Sequence, residues 1–134
     1  MIRRLTIVLV LAVLSLAAAA AAVRAGEPAL AVGPGGLHSQ PWFHDPSGDL
    51  GTDLAAAGRA GKMLALVWEQ EGCVYCREMH QVNLQVPEIV DYIRRHFYVV
   101  QLDMRGARAI VDFDGKALDE AALARRHRVF GTPS

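Results

Sequence analysis

Cys73 and Cys76, the only two cysteines of the 134-residue chain, stand three positions apart. The apolar, β-forming run 63–68 precedes them, and the turn 69–72 leads from that run into a predicted helix. At this spacing both sulfur atoms lie on one side of the first helical turn, close enough to form a small disulfide ring. A Cys-x-x-Cys motif that leaves a strand and enters a helix is typical of redox sites. The motif therefore predicts thiol–disulfide exchange.

Three other uses of a cysteine pair make different demands on the sequence. A purely structural disulfide is disfavoured, because closing so short a loop removes little chain entropy. A zinc site would use His80, four residues after Cys76, but it needs a fourth ligand, and the chain has no second Cys-x-x-Cys and no His-x-x-x-His. Covalent haem attachment is excluded, because Arg77 and not histidine follows Cys76. Redox activity is the preferred interpretation.

The first 25 residues have the layout of a secretory signal. Residues 1–4 are a short basic start, residues 5–16 are mostly apolar, and an alanine-rich stretch ends at Ala25 with small residues for cleavage. The alternative is an uncleaved membrane anchor, since the apolar part, extended through Val23, is about as long as a marginal span needs. We expect residues 1–25 to direct export, which also places the cysteines where a disulfide can form.

Charge and length limit the remaining possibilities. Without residues 1–25 the chain loses three of its 14 basic side chains and none of its 14 acidic ones, so 11 basic residues remain. The net charge is then about −3, and no basic patch indicates nucleic-acid binding. The roughly 109 residues that remain suffice for one small domain.

An arm precedes this domain. Residues 26–51 are rich in proline and glycine and follow neither a helical nor an alternating pattern, so we interpret them as a linker or extended arm. Trp42 and Phe43 are expected to anchor the arm by packing onto the domain. Residues 52–134 form the predicted domain.

The first half of the domain reads as alternating elements. Thr52 or Asp53 is a candidate cap for a short helix, residues 63–68 form a strand, and the cysteine helix covers residues 73–82. Pro87 suits the first turn of the next helix, which ends near His96. The predicted buried stripe of that helix consists of Ile89, Val90, Ile93 and Phe97.

The second half continues in the same way. Residues 97–103 are a β-rich second strand, residues 110–113 a short strand, and Asp114-Gly115 a turn signal. Asp119 caps the last predicted helix, residues 120–127. The inner side of that helix carries Ala122, Leu123 and Val129.

This alternation predicts an α/β fold with a central sheet flanked by helices and a parallel central pair of strands. Two or three strands with exposed edges are unusual in a stable domain. We therefore expect the domain to be incomplete at its C-terminus.

The predicted site suits thiol chemistry. The thiol of a free cysteine, with a pKa of about 8.5, is mostly protonated at neutral pH, and a helix N-terminus favours the ionised sulfur. Cys73 is expected there, exposed after Gly72, with Cys76 one turn deeper as the resolving cysteine. Glu69 and Glu71 are interpreted first as solvated carboxylates, and Glu69 is the better candidate for a proton relay to Cys76. His80 is interpreted as a helix-face residue near the site.

The stretches WEQEGCVYCREMHQVN, PEIVDYIRRHFYVVQLD, DFDGKALDEAALARRHRV and FGTPS resemble the thioredoxin superfamily, and more narrowly the SoxW-type periplasmic thioredoxins of bacterial sulfur oxidation. The resemblance covers nearly all of residues 63–134. It implies a thioredoxin-like fold whose last hairpin and helix would follow Ser134. It also implies that Thr132 and Pro133 form a cis-proline loop that contacts the substrate chain, with Tyr75 as a further candidate contact.

Two positions depart from the pattern of the family. Gly72 stands where many cytosolic thioredoxins carry tryptophan before the first cysteine. Val67 stands where many thioredoxins carry a buried acid, six residues before that cysteine. The usual proton relay is therefore not expected to be the same in this chain.

The resemblance also implies an activity. SoxW-like proteins are regarded as periplasmic reductants of partner protein disulfides that receive electrons from a membrane thiol protein. No cofactor and no metal is expected. The alternatives are a disulfide oxidase or isomerase and a non-catalytic binding domain that uses the groove beside Pro133.

Overall fold

The computed structural model describes residues 31–134. The predicted signal segment 1–25 and the first part of the arm lie outside the described residues. Within the described range the chain forms six strands and four α-helices. None of these helices is long and apolar enough to cross a membrane.

The elements alternate as the sequence predicts. The strands are β1 (Ala31–Val32), β2 (His38–Ser39), β3 (Met63–Glu69), β4 (Phe97–Asp103), β5 (Ala109–Val111) and β6 (Ala117–Asp119). The α-helices are α1 (Leu50–Arg59), α2 (Val74–Gln81), α3 (Pro87–His96) and α4 (Glu120–Arg126). Helices α1, α2 and α3 and strands β3 and β4 alternate around one parallel pair of strands, so the predicted α/β class is confirmed.

Among the described residues, strands β3 and β4 form a two-stranded parallel sheet, and the other two strand pairs form separate two-stranded sheets. Strands β3 and β4 run parallel, from Met63 opposite Phe97 to Glu69 opposite Asp103. Trp68 turns its backbone N–H and C=O away from β4 and exchanges hydrogen bonds of 2.8 and 3.2 Å with Ser134. The end of the described chain is thereby held beside the carboxyl end of β3, next to the start of α2.

The hydrophobic core lies on one face of this pair. Side chains alternate along a strand, so Trp68 and Glu69 point to opposite faces of β3, and Trp68 enters the core. The buried members of the core are Leu50, Trp68, Val100, Leu102, Ile110, Leu123 and Ala124. Helices α1 and α4 therefore contribute to the core on one face, and on the other face Glu69 contacts His80 of α2.

Helix α1 starts earlier than the sequence indicates. Asp49, not Thr52 or Asp53, is the N-cap, and its carboxylate accepts the N–H of Thr52 at 2.8 Å. Asp53 is instead buried and accepts the N–H of Ser47. The prediction of the cap was wrong because Asp49, Thr52 and Asp53 all have side chains that can cap a helix, and residue preference alone does not decide between them.

The predicted buried stripe of α3 is only partly covered. Ile89 is exposed, whereas Val90, Ile93 and Phe97 are half-buried. Helix α3 packs mainly against β4 and the one-turn 3-10 helix Asn83–Gln85, so no residue of α3 is fully buried in the described structure. Apolar periodicity predicted the helix correctly, but it could not predict how much of the apolar face is buried by neighbouring elements.

The segment between β4 and α4 is a β-hairpin, of which the sequence predicted the first strand and the turn but not the second strand. Strand β5 pairs antiparallel with β6, which was not predicted. Gly115, in the predicted turn, has φ +81°, a conformation that glycine adopts without steric cost. The predicted cap of α4 is confirmed, since the Asp119 carboxylate accepts the N–H of Ala122 at 2.6 Å.

The arm is more ordered than a linker. Strands β1 and β2 pair with each other, and His44 bridges in parallel to Val100 of β4. The ring of Phe43 lies 5.6 Å from that of His80, and the His44 ring stacks on Tyr98 at 3.6 Å. The aromatic residues therefore pack the arm onto the domain, as expected for Phe43.

The stacked His44 is expected to make this attachment sensitive to acid. Burial lowers the pKa of His44 from 6.5, the charge of Lys62 lowers it further, and Asp53 opposes both. Since the unfolded chain then binds the proton more readily, stability is retained above pH 6.5 and lost as the pH falls below that value. We expect His44→Phe, which keeps an aromatic ring on Tyr98, to lose less stability than the wild type between pH 6.5 and about pH 5 in urea unfolding. Equal losses in both proteins would contradict this account.

Candidate active site

The junction between β3 and α2 presents the first cysteine. Gly72 has φ +72°, a left-handed conformation that turns the chain sharply before Cys73. The helix begins at Val74, one residue later than predicted, and Cys73 is its N-cap. The Cys73 Sγ accepts the backbone N–H of Cys76 at 3.1 Å. The sulfur thus occupies the place that a capping oxygen normally takes.

The two cysteines are bonded to each other. Their sulfur atoms are 2.08 Å apart and their Cα atoms 5.2 Å apart. Cys76 is completely buried, and Cys73 is 8% exposed. The prediction of an exposed Cys73 is therefore wrong, although Cys73 remains the more accessible of the two sulfurs.

The loop after α4 covers the disulfide and explains this burial. The Thr132–Pro133 peptide bond is cis. The Thr132 hydroxyl donates to Cys73 Sγ at 3.2 Å, and the Thr132 carbonyl oxygen lies 3.6 Å from the same sulfur. Because a disulfide sulfur carries no hydrogen, the second approach is a contact and not a hydrogen bond. Thr132 is thus brought to the pair, as the resemblance implied.

The other predicted substrate contacts lie at the rim. Tyr75 is 72% exposed between the two cysteines in sequence, and Pro133 is exposed beside Thr132. Phe130, which was not singled out from the sequence, is 80% exposed two residues before Thr132. Tyr75 and Phe130 are thus exposed rings close in sequence to the cysteine pair and to Thr132, whereas the disulfide itself is nearly inaccessible.

Comparison with known proteins identifies this arrangement. A family model described as a thioredoxin-like domain matches residues 50–134, more than half of the chain. The chain belongs to the thioredoxin-like family. No curated protein and no solved structure gives a significant match. The thioredoxin-like domain and its bonded Cys73–Cys76 pair indicate thiol–disulfide redox chemistry.

A buried acid contacts the cysteine helix of this thioredoxin-like domain. Glu69 is completely buried, and its Oε1 is 2.7 Å from Nε2 of His80, which is also completely buried. The interpretation of Glu69 as a solvated carboxylate is therefore wrong, whereas Glu71 is exposed as expected. Glu69 was misjudged because the turn that follows β3 begins at Gln70, so Glu69 still belongs to the strand and faces α2.

His80 connects this acid to the cysteine helix. His80 follows Cys76 by four residues, and both side chains are on the buried face of α2. A long side chain on a helix leans toward the preceding turn, which here is the turn of Cys76. The i, i+4 spacing was visible in the sequence, but its meaning depended on knowing that Glu69 is buried.

Gln40 of the arm completes the buried group. Its amide Nε2 lies 3.1 Å from His80 Nδ1 and 3.3 Å from the His80 carbonyl oxygen. Gln85 donates to the same carbonyl oxygen at 2.9 Å. Nothing in the sequence indicated Gln40, because it lies 40 positions from His80 in a proline-rich segment.

One carboxyl oxygen of Glu69 makes no hydrogen bond in the described structure. Glu69 Oε2 is buried and has no hydrogen-bond partner in the described part of the chain. A buried carboxylate oxygen without a partner is rare, because leaving it unpaired costs about 1–3 kcal/mol or more. Within residues 31–134, no group of three or more His, Cys, Asp or Glu side chains is placed to hold a metal ion.

Proposed function

We propose that this thioredoxin-like protein reduces disulfides of partner proteins through the Cys73–Cys76 couple. The observation that carries the proposal is the position of Cys73 Sγ, which caps α2 and accepts hydrogen bonds from the Cys76 N–H and the Thr132 hydroxyl. Donors aimed at a sulfur and the positive end of a helix dipole both favour the thiolate over the thiol. The thiolate is the nucleophile in disulfide exchange.

The reaction proceeds in two steps. The Cys73 thiolate attacks a partner disulfide, forms a mixed disulfide and releases one partner thiolate, which takes up a proton. Cys76 then loses its proton and attacks Cys73 Sγ, which frees the second partner sulfur and forms the Cys73–Cys76 disulfide. Two electrons pass from the two protein thiols to the partner. The 5.2 Å separation of the two Cα atoms suits this ring closure.

The second step needs a proton acceptor, because Cys76 is completely buried. We assign this role to Glu69, which is bonded to His80 and keeps Oε2 open. Val67 occupies the more usual position of the acid. It lies two residues earlier on the same face of β3, so Glu69 approaches α2 from the same side of the strand.

Partners and location follow from the resemblance to SoxW-type thioredoxins. We assign Thr132, Pro133 and Tyr75 to contacts with the substrate chain, since Thr132 touches the disulfide and Tyr75 is 72% exposed. Residues 1–25 would export the protein to the periplasm, where a membrane thiol protein would supply electrons. This assignment includes no cofactor.

The direction of electron flow is tested by the reduction potential of the Cys73–Cys76 couple, measured by equilibration with glutathione. We expect a value near that of a reductant, roughly −270 mV. A value near −120 mV, typical of a strong oxidant, would replace the reductase with a disulfide oxidase. Donors that stabilise the Cys73 thiolate stabilise the reduced protein and so raise the reduction potential. Among the described residues Cys73 Sγ has only two donors, one N–H and one hydroxyl, so we expect a low potential.

A further inference from the structure

We infer that Gln40, a residue of the arm outside the matched domain, is a positioning residue that fixes the proton of His80 and thereby keeps Glu69 ready to accept a proton from Cys76. This inference rests on the proposed relay and extends the redox site to the arm. Gln40 is 7% exposed, and its amide reaches across 40 positions to His80. Its role follows from which atoms donate and which accept.

The orientation of the Gln40 amide is determined by the His80 backbone. A carbonyl oxygen can only accept, so the atom that lies 3.3 Å from the His80 carbonyl must be the amide nitrogen. The same nitrogen lies 3.1 Å from His80 Nδ1. One NH₂ group has two hydrogens and can serve both acceptors. His80 Nδ1 is therefore an acceptor and carries no proton.

The proton of a neutral His80 ring must then be on Nε2. From there it is donated to Glu69 Oε1 at 2.7 Å, in the range of a short hydrogen bond to an ionised acceptor. In the proposed relay Glu69 is the carboxylate of this pair, and its Oε2 has no partner in the described structure. Gln40 thus selects the neutral His80 tautomer with its proton on Nε2. In this tautomer the ring donates to Glu69 Oε1, and Glu69 Oε2 stays without a partner.

Without Gln40 a second protonation state becomes available to the His80 ring. Nδ1 could bind a proton, and His80 would become a cation beside Glu69. A carboxylate that is paired with a cation accepts a proton less readily than one that is bonded to a neutral ring. The other groups around the ring are Phe43, and His38 at a centroid distance of 6.2 Å. Neither side chain forms a hydrogen bond with the His80 ring in the described structure.

The chemical step that this arrangement serves is the second one. Cys76 gives its thiol proton to Glu69 Oε2 as its sulfur bonds to Cys73 and the bond between Cys73 and the partner breaks. The partner leaves as a thiolate and is protonated by solvent. Attack by Cys73 on the first disulfide does not need this proton transfer. Loss of Gln40 should therefore slow resolution and leave the first attack unchanged.

The test compares Gln40→Met with Gln85→Met in the full chain. Both variants remove one amide donor to the His80 carbonyl oxygen, but only Gln40 also bonds the ring. With a disulfide peptide as substrate, we expect Gln40→Met to slow decay of the mixed disulfide roughly tenfold near neutral pH. This is a part of the rate enhancement of roughly 10²–10⁴-fold that a positioned general acid or base contributes. The deficit should vanish at alkaline pH, where Cys76 ionises without help. Gln85→Met should stay within about twofold of the wild type.

A second readout separates positioning from a general loss of structure. ¹⁵N NMR of His80 should show a protonated Nε2 and a bare Nδ1 in the wild type and in Gln85→Met, and protonation at Nδ1 in Gln40→Met. A wild-type ring that carries its proton on Nδ1 at neutral pH would overturn the inference even if Gln40→Met does not fold. Slow resolution without a change at His80 would also overturn it. Absence of any mixed disulfide on Cys73 in a Cys76→Ser variant would instead overturn the proposed function.

Discussion

Replacement of Cys73 by serine is expected to reduce insulin-reducing activity to the level of the dithiothreitol control. Serine is close in size to cysteine and can keep the hydrogen bonds from Cys76 N–H and Thr132 at the start of α2. Its hydroxyl does not ionise near neutral pH and cannot form a disulfide, so the first exchange step is lost. The measurement is insulin precipitation with dithiothreitol as electron source.

Two companion variants give this result its meaning. Cys76→Ser should retain the attack by Cys73 but accumulate mixed disulfides with partner chains, visible on non-reducing gels. Glu78→Ser, an exposed change on the same helix, should retain full activity. Activity that survives Cys73→Ser would remove the catalytic assignment, and a Cys76→Ser protein that traps no partner would favour a binding domain.

Replacement of His80 by leucine is expected to lower the free energy of unfolding of the oxidised protein by about 3–5 kcal/mol. His80 and Glu69 are both completely buried, so removing the imidazole leaves a buried carboxylate without its partner. It also leaves the Gln40 amide without one of its acceptors. Chemical unfolding with the disulfide intact measures the difference.

The double variant Glu69→Leu/His80→Leu distinguishes the loss of the hydrogen-bond donor of a buried carboxylate from a simple packing defect. If the cost arises from the unpaired carboxylate, removing that carboxylate should restore most of the stability, because a buried pair and apolar residues of similar volume are often nearly equivalent. A single His80→Leu cost below about 1 kcal/mol, the range of surface ion pairs, would mean that the pair is not buried as described. Additive losses in the double variant would point to packing.

The elements that were predicted correctly are those whose signals are local. Strand β4 and the Asp119 cap of α4 follow from residue preferences within a few positions. The exposure of Ile89 depends on which segments pack against α3. Strand β6 is only three residues long, and it is a strand because it pairs with β5. Short pairings of this kind have no periodic signal.

The residues of the candidate site also separate into those with a local sequence signal and those placed by tertiary contacts. The Cys-x-x-Cys motif and the helix that follows it are adjacent in sequence, so the redox pair could be found directly. Glu69 was recognised as a relay candidate, but its burial was not, since an acid beside a glycine-containing turn is usually solvated. Gln40 could not be found, because its only distinguishing property is its contact with His80.

The Cys-x-x-Cys spacing alone was enough to predict thiol–disulfide chemistry, since two cysteines three positions apart at a strand-to-helix turn can come close through local geometry. The tertiary structure decided how that chemistry is supported. It buried Glu69 against His80, brought Thr132 onto the Cys73 sulfur, and drew Gln40 in from the arm. The reason is physical: spacing along a chain fixes only neighbours within a turn or two, whereas burial and long-range hydrogen bonds exist only after distant segments pack together.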